Sequence, residues 1–217
     1  VSHTFATVNT FQIRVTGTQV PRFELDDQSN IVSVENLGNI GLQDTLGMFT
    51  NCNNITNASV GGYVTILDNQ IFTNCTSLIS ITIPNAVTSI GQNAFFNTSL
   101  TNVNFPNSAN IIQLRTFMDC TELISVNIPS SVTLIGSEAF RNCTSLTSIV
   151  IPSGITAFFG YTFADCTSLG SISCLATSAP ALNTAVFFNV LATSINVPVG
   201  ATDYGTTYGG LTVNYVL

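Results

Sequence analysis

Phenylalanine returns at a nearly constant interval along most of the chain, and this period constrains the fold more than any other feature. The successive intervals are 23, 23, 22, 23, 23 and 24 residues, and leucine and proline keep the same period. The residues are Phe49, Phe72, Phe95, Phe117, Phe140, Phe163 and Phe187; Leu78, Leu100, Leu123, Leu146 and Leu169; and Pro84, Pro106, Pro129 and Pro152. A fixed period of about 20–50 residues indicates a repeat protein, in which each unit is one supersecondary structure. We therefore predict a solenoid of stacked coils.

The single 22-residue interval has an identifiable origin. The unit that begins at Phe95 reads FFNTSL, whereas the other units read FTNCTSL, FMDCTEL, FRNCTSL and FADCTSL. We place the missing residue at the cysteine position, between Asn97 and Thr98. One deletion then explains both the short interval and the missing cysteine.

Each unit changes its hydrophobic pattern along its length. Residues near 125–128 alternate between polar and apolar, which is the period of a short strand with one buried face. Proline follows, and because it has no N–H for a ladder it is suited to a strand end. A second apolar pair, such as Val132 and Ile135, turns back inside, and we expect Gly91 and Gly136 to permit a bend there. One unit cannot bury its apolar face alone, so the core must form between stacked units.

The repeat resembles a known family. The pattern L-x-x-I-x-I-P-x-x-V-x-x-I-G-x-x-A-F-x-x-C over roughly residues 49–198 resembles the BspA-like class of leucine-rich repeats, which occurs in surface proteins of bacteria, some protists and viruses. The segment IVSVENLGNIGLQDTLGMFTNCNNI at 31–55 is similar to a related part of that family. The resemblance implies a β-rich leucine-rich-repeat solenoid with 22–23-residue repeats, right-handed coils, short strands, turns and little helix.

The ends of the chain differ from the repeats. The opening VSHTFATVNTFQIRVTG resembles the last two strands of a PKD-like module, with His3, Phe5 and Phe11 at matching positions. The C-terminal INVPVGATDYGTTYGG resembles the closing unit of such arrays. We therefore divide the chain into a PKD-like terminal hairpin or N-terminal cap (1–20), an N-terminal capping or degenerate repeat segment (21–48), the leucine-rich repeats (49–198) and a C-terminal cap (199–217).

Two kinds of residue recur at single positions of the repeat and are expected to form buried structural ladders. They are Cys52, Cys75, Cys120, Cys143 and Cys166, and Phe72, Phe95, Phe117, Phe140 and Phe163. A disulfide between neighbouring coils is an alternative for the cysteines, but their side chains would point in parallel. A zinc site would need close cysteine pairs, and Cys166 and Cys174 are eight residues apart. Asn51, Asn74, Asp119, Asn142 and Asp165 precede the cysteine position, where we expect a ladder of turns rather than bound calcium.

Composition excludes several classes of function. The chain has four arginines and no lysine against 11 acidic residues, for a net charge of −7. A phosphate-binding surface needs clustered cations, so we expect neither nucleic acid nor anionic membrane as a partner. No apolar run reaches the roughly 18 residues of a membrane-spanning helix. His3 is the one histidine, and no catalytic or phosphate-binding motif occurs, so we predict a non-enzymatic protein without cofactor or metal.

The remaining candidate site is the outward face of the strands. We expect it to consist of short, uncharged hydrogen-bonding side chains around Val150, namely Ser80, Thr82, Asn102, Asn104, Ser125, Asn127, Ser148, Ser171 and Ser173. Such a face could bind a protein or a glycan, as an adhesion module of an extracellular or cell-surface protein. The alternative is a self-associating structural protein of a virion or extracellular filament. In that case Tyr204, Tyr208 and Tyr215 at one end could meet Phe5 and Phe11 of another copy.

Overall fold

The structure is a computed structural model that describes residues 33–37 and 46–216, and none of these residues is helical. Accordingly, the described part contains no helix that could span a membrane. The strands are β1 (Ser33–Leu37), β2 (Asn57–Val60), β3 (Ile66–Leu67), β4 (Ser80–Thr82), β5 (Ser89–Ile90), β6 (Asn102–Asn104), β7 (Ile111–Ile112), β8 (Ser125–Asn127), β9 (Leu134–Ile135), β10 (Ser148–Ile151), β11 (Ala157–Phe158), β12 (Ser171–Cys174), β13 (Ala181–Leu182), β14 (Ser194–Val197), β15 (Thr207–Tyr208) and β16 (Leu211–Tyr215).

Each coil has three sides. The first carries the longer strands from β1 to β16, and we call it the strand side. The second side carries the two-residue strands β3, β5, β7, β9, β11 and β13. The third, which we call the turn side, carries the recurring phenylalanines. Neighbouring coils pair in parallel, as Ser148 with Ser171 and Leu134 with Ala157. The predicted β-solenoid is therefore confirmed, and the proline corners are turns in which, for example, Val132 N–H donates to the Pro129 carbonyl at 3.1 Å.

The strand side is not one continuous hydrogen-bonded sheet. Its hydrogen-bonded groups are β1-β2-β4, β6-β8 and β10-β12-β14-β16-β15. Between β4 and β6 the bond from Thr101 N–H to the Ile79 carbonyl, 3.2 Å long, remains. This bond keeps the register of the regular units, in which Ile79 N–H donates to the Thr56 carbonyl and Ile124 N–H donates to the Thr101 carbonyl.

The structure corrects the position of that deletion. Asn97 Nδ2 donates to Asn74 Oδ1, and Ser99 Oγ donates to the Thr76 carbonyl, both across 23 residues. Thr98 therefore occupies the cysteine position itself, buried against Cys120 at 3.3 Å. The lost residue therefore lies between Ser99 and Leu100, because Ser99 follows Thr76 by 23 residues whereas Leu100 follows Leu78 by 22.

The role expected for Gly91 and Gly136 is also wrong. Neither has a positive φ, so the backbone bend does not require glycine. Each glycine instead lies against the backbone of the preceding coil. A Cβ atom added at Gly91 would lie 2.4 Å from Asn69 N, and one at Gly136 would lie 2.8 Å from Leu114 N. Glycine is needed because the coils approach too closely for a side chain.

The core is a continuous column of apolar side chains inside the coils. The phenylalanines from Phe49 to Phe163 stack with ring centroids 5.2–5.9 Å apart, and Phe187 follows at 5.7 Å. At the C-terminal end, β14 pairs with β16 and β15 turns back as an antiparallel edge. Such a short edge strand leaves few backbone groups open for pairing.

Two tyrosines expected to be available at the end of the molecule are instead part of this cap. Tyr204 and Tyr208 are buried, and their hydroxyls donate to the carbonyls of Ala176 and Pro180. Self-association through these two rings is therefore excluded. Tyr215 is exposed, whereas Phe5, Phe11 and the PKD-like hairpin lie outside the described residues.

Candidate functional site

The strand side gathers the residues that the repeat singled out. Parallel pairing places Asn102 beside Ser125 and Asn104 beside Asn127, and Ser148 beside Ser171. The side chains at the predicted positions are exposed from Ser80 to Ser171, and only Ser173 is half-buried. Val150 lies among them and is 55% exposed. These residues form one outward face, which we call the strand face.

Side-chain hydrogen bonds link neighbouring strands across this face. Ser80 Oγ donates to Asn57 Oδ1 and Ser125 Oγ donates to Asn102 Oδ1, both at 2.6 Å. The Asn102 amide donates in turn to Thr101 Oγ1 at 3.2 Å. These bonds reduce the rotamer freedom of the side chains, so less conformational entropy is lost when a ligand binds.

The face is longer than the sequence indicated. Asn57 on β2 also belongs to it, and Ser194 and Asn196 on β14 continue it beyond β12. These residues were missed because the units at both ends depart from the proline and leucine spacing. The 23-residue distance from Ser80 back to Asn57 and from Ser171 on to Ser194 was the available signal.

Charge is segregated to another side of the coil. Arg115 pairs with Glu138 at 3.1 Å, and Arg141 pairs with Glu138 at 3.5 Å and Asp165 at 3.4 Å, all on the turn side. Arg141 also lies 5.5 Å from the centre of the Tyr161 ring. These are the two cations of the described residues, and both are neutralised by carboxylates. The strand face itself carries no charged side chain from β4 to β12.

The cysteine column is fully buried, and its thiols are free. It is more than a set of apolar contacts, because four of its five thiols donate to the carbonyl of a phenylalanine in the preceding coil. Cys75 reaches Phe49, Cys143 reaches Phe117 and Cys166 reaches Phe140, at 2.9–3.1 Å. Burial raises the pKa of the Cys120 thiol to about 11. A protonated thiol is a poor nucleophile and a poor metal ligand.

The residues before the cysteines form a second ladder, made of side-chain amides. Asn74 donates to Asn51, Asn97 to Asn74, Asn142 to Asp119 and Asn189 to Asp165, at 2.9–3.0 Å. All have φ between 55° and 63°, a conformation that asparagine and aspartate adopt more readily than most residues. Within the described residues no group of three potential ligands for a metal ion occurs.

Comparisons with known proteins agree with this architecture. The model of the BspA type leucine rich repeat region matches residues 35–124 and 88–207, with six copies. The chain is similar to the crystal structure of the T. pallidum leucine-rich repeat protein, at 27% identity and a TM-score of 0.62 over 80% of this chain and 76% of that one. A leucine-rich repeat protein from Bacteroides ovatus is 20% identical, with a TM-score of 0.44 over 85% of this chain and 58% of that one.

A leucine rich cell surface protein from Faecalibacterium prausnitzii is 19% identical, with a TM-score of 0.33 over 88% of this chain and 68% of that one. Curated proteins gave no match. The six repeat copies cover most of the chain and coincide with the coils of the structure. The chain belongs to the BspA-type leucine-rich repeat family.

Proposed function

We propose that this solenoid is a non-catalytic recognition module that binds a protein or glycan through its strand face, as part of an extracellular or cell-surface adhesion protein. The observation that carries the proposal is the continuous array of exposed, uncharged hydroxyl and amide groups on that face. The buried thiols and ion-paired arginines supply no reactive group elsewhere in the described residues. Membership of the BspA-type family supports a surface location.

The chemistry of the face favours a protein over the other ligands. Aromatic rings, on which sugars usually stack, do not occur at its outward positions between β4 and β12. Cations for sulfate or phosphate groups do not occur there either. Val150 supplies an exposed apolar contact surrounded by hydrogen-bonding side chains, which is the arrangement of a small interface centre with a polar rim.

The proposal is tested by enlarging two residues at the middle of the face. Ser125→Tyr and Asn127→Tyr, combined in one variant, add bulk with a residue type that favours strands. The unmodified chain and this variant are each screened against immobilised extracellular-matrix proteins and a glycan array. We expect the unmodified chain to bind at least one protein and the variant to lose about tenfold or more in affinity, which corresponds to about 1.4 kcal/mol.

The matched control is Thr133→Tyr, which enlarges an exposed residue of the same coil on its second side. This variant should bind like the unmodified chain. Equal loss in both variants, or no ligand in either screen, would contradict recognition through the strand face.

A further inference from the structure

The pairing of strands is interrupted on two sides of the solenoid between the same two coils. On the strand side β4 is not paired with β6, and on the second side β5 is not paired with β7. The strand side is interrupted once more, between β8 and β10, but there β9 and β11 still pair on the second side. Within the described residues, only the boundary between the coil of β4 and β5 and the coil of β6 and β7 lacks both pairings. We call this boundary the interrupted junction.

The hydrogen bonds across the strand face stop at this junction as well. Ser80 Oγ donates to Asn57 Oδ1 in the preceding coil at 2.6 Å. Beyond the junction, Ser125 Oγ donates to Asn102 Oδ1 at the same distance. Among the described residues no side-chain bond joins Ser80 to Asn102 across the junction. The strand face therefore consists of two parts that are linked internally and not to each other.

The amide ladder of the turn side stops at the same place. Asn97 Nδ2 donates back to Asn74 Oδ1 at 3.0 Å. Asp119 is the next member beyond the junction, and its carboxylate has no hydrogen to donate to Asn97. One coil further on, Asn142 Nδ2 again donates to Asp119 Oδ1 at 2.9 Å. The interrupted junction thus lacks a bond that the junctions on both sides of it have.

The backbone of the turn side still crosses the interrupted junction. The N–H groups of Asn93, Phe95 and Asn97 donate to carbonyls of the next coil at 2.9–3.0 Å. The rings of Phe95 and Phe117 stack with their centroids 5.4 Å apart. The turn side is therefore as continuous here as elsewhere, and the weakness is confined to the other two sides.

Those two sides keep two hydrogen bonds across the junction among the described residues. Thr101 N–H donates to the Ile79 carbonyl at 3.2 Å, and Asn107 N–H donates to Asn85 Oδ1 at 3.0 Å. The rest of the contact is the apolar core, in which Phe105 is 3% exposed. Separating the coils exposes this core to water, so the open state is a minor one.

A weak boundary has a defined consequence in a solenoid. The stability of such an array is the sum of the stabilities of its coils and of the contacts between adjacent coils. Where one contact is weak, the coils on one side can open as a group while the others stay folded. The coils beyond the junction carry β6 to β13 and end in the cap of β15 and β16, whereas the described coils before it carry β2 to β5. The smaller group is the one expected to open.

We propose that the interrupted junction is a conformational switch, at which residues 46–98 open as one cooperative unit while residues 100–216 stay folded. Opening removes Asn57, Ser80 and Thr82 from the strand face and leaves the positions from β6 onward in place. A ligand that contacts both parts of the face would hold the junction closed. This effect on binding rests on the proposed function, whereas the opening itself does not.

The test is amide hydrogen exchange of the full chain in low concentrations of urea, which gives a free energy of opening for each amide. Four amides are matched probes, because they occupy the same position in successive coils, belong to buried residues and donate to the next coil at 2.9–3.0 Å. They are those of Phe72 and Phe95 before the junction and of Phe117 and Phe140 beyond it. We expect one common free energy of opening at the first two and a single step to a higher value at the last two.

Two variants locate the boundary of the opening unit. Asp119→Asn supplies the missing amide donor across the interrupted junction, and Asp165→Asn supplies the corresponding donor between coils that stay folded. We expect Asp119→Asn to slow exchange at Phe72 and Phe95 about fivefold, the effect of one added hydrogen bond. Asp165→Asn should leave exchange at these two amides unchanged, because its contacts are not broken when residues 46–98 open.

Two results would overturn the proposal. The first is a free energy of opening that is equal at all four amides or rises gradually from Phe72 to Phe140, because the array would then open as a whole or fray from its end. The second is an Asp165→Asn variant that changes exchange at Phe72 and Phe95 as much as Asp119→Asn does. Both measurements are made without ligand, so the binding result for the strand-face variant affects neither of them.

Discussion

At the scale of the residue, hydrogen-bonding capacity determines where the amide ladder of the turn side is broken. Asparagine both donates and accepts through its side chain, whereas an ionised aspartate only accepts. Asn51, Asn74 and Asn97 therefore form an unbroken series, but Asp119 has no group to donate to Asn97. Asp119 still accepts from Asn142 at 2.9 Å. The ladder is thus interrupted at this point because the aspartate side chain has no hydrogen-bond donor.

Replacing Asp119 with asparagine should complete this part of the ladder. The new amide can donate to Asn97 and its oxygen can still accept from Asn142, so Asp119→Asn gains one hydrogen bond. We expect the free energy of unfolding to rise by about 1 kcal/mol, measured as a higher midpoint of urea denaturation at constant slope.

Asp165→Asn is the informative comparison. The Asp165 carboxylate also pairs with Arg141 at 3.4 Å, so its replacement loses an ion pair while gaining an amide donor. We expect a smaller stabilisation than in Asp119→Asn. A midpoint that does not rise in Asp119→Asn would show that the amide ladder adds no stability.

At the scale of the element, the close approach of adjacent coils limits which residues fit the second side. The position of Gly136 is occupied by Gln113 in the preceding coil and by Phe159 in the following one. The coil itself therefore does not demand glycine. Glycine is required at residue 136 because the backbone of Gln113 and Leu114 in the preceding coil lies too close to leave room for a Cβ atom.

Gly136→Ala should separate these two coils. Its Cβ atom would meet backbone atoms at 2.8 Å, which cannot move aside as a side chain could. We expect a loss of roughly 1–3 kcal/mol, as for overpacked cores, measured by chemical denaturation. Gly62→Ala is the control, because nothing lies within 4 Å of its added Cβ atom. Similar losses in both variants would indicate a general effect of replacing glycine.

At the scale of the whole molecule, stability is propagated from coil to coil, and the ends need protection. In a solenoid each unit contacts only its neighbours, and terminal units with a polar outer surface maintain solubility. At the C-terminal end β16 covers β14, and Gly209 lies so close to Phe187 that an added Cβ atom would be 2.7 Å from the ring. The cap therefore closes both the sheet and the aromatic stack.

Ending the chain after residue 198 should make it aggregate. This truncation exposes the β14 edge and the Phe187 ring, and both are surfaces that pair between molecules. We expect a large loss of soluble monomer in size-exclusion chromatography at low concentration. Tyr208→Phe is the control, since it removes only the hydrogen bond to Pro180. It should remain monomeric and lose about 1 kcal/mol of stability. A soluble truncated monomer would contradict a capping role.

The sequence by itself determined the architecture, the buried ladders and the residues that share the strand face. It could do so because a period of about 23 residues places equivalent side chains in columns, whatever the exact path of each coil. Phe72 and Cys75 therefore needed no structure to be assigned to the core. The strand face was predictable for the same reason wherever the repeat is regular.

Only the tertiary structure decided the features that depend on the distance between coils. The deletion after Ser99, the contact under Gly136 and the burial of Tyr204 each arise from the packing of one coil on another. The left-handed conformation of Glu138 and Tyr161 is of the same kind, because bonds to the next coil impose it on residues that seldom adopt it alone.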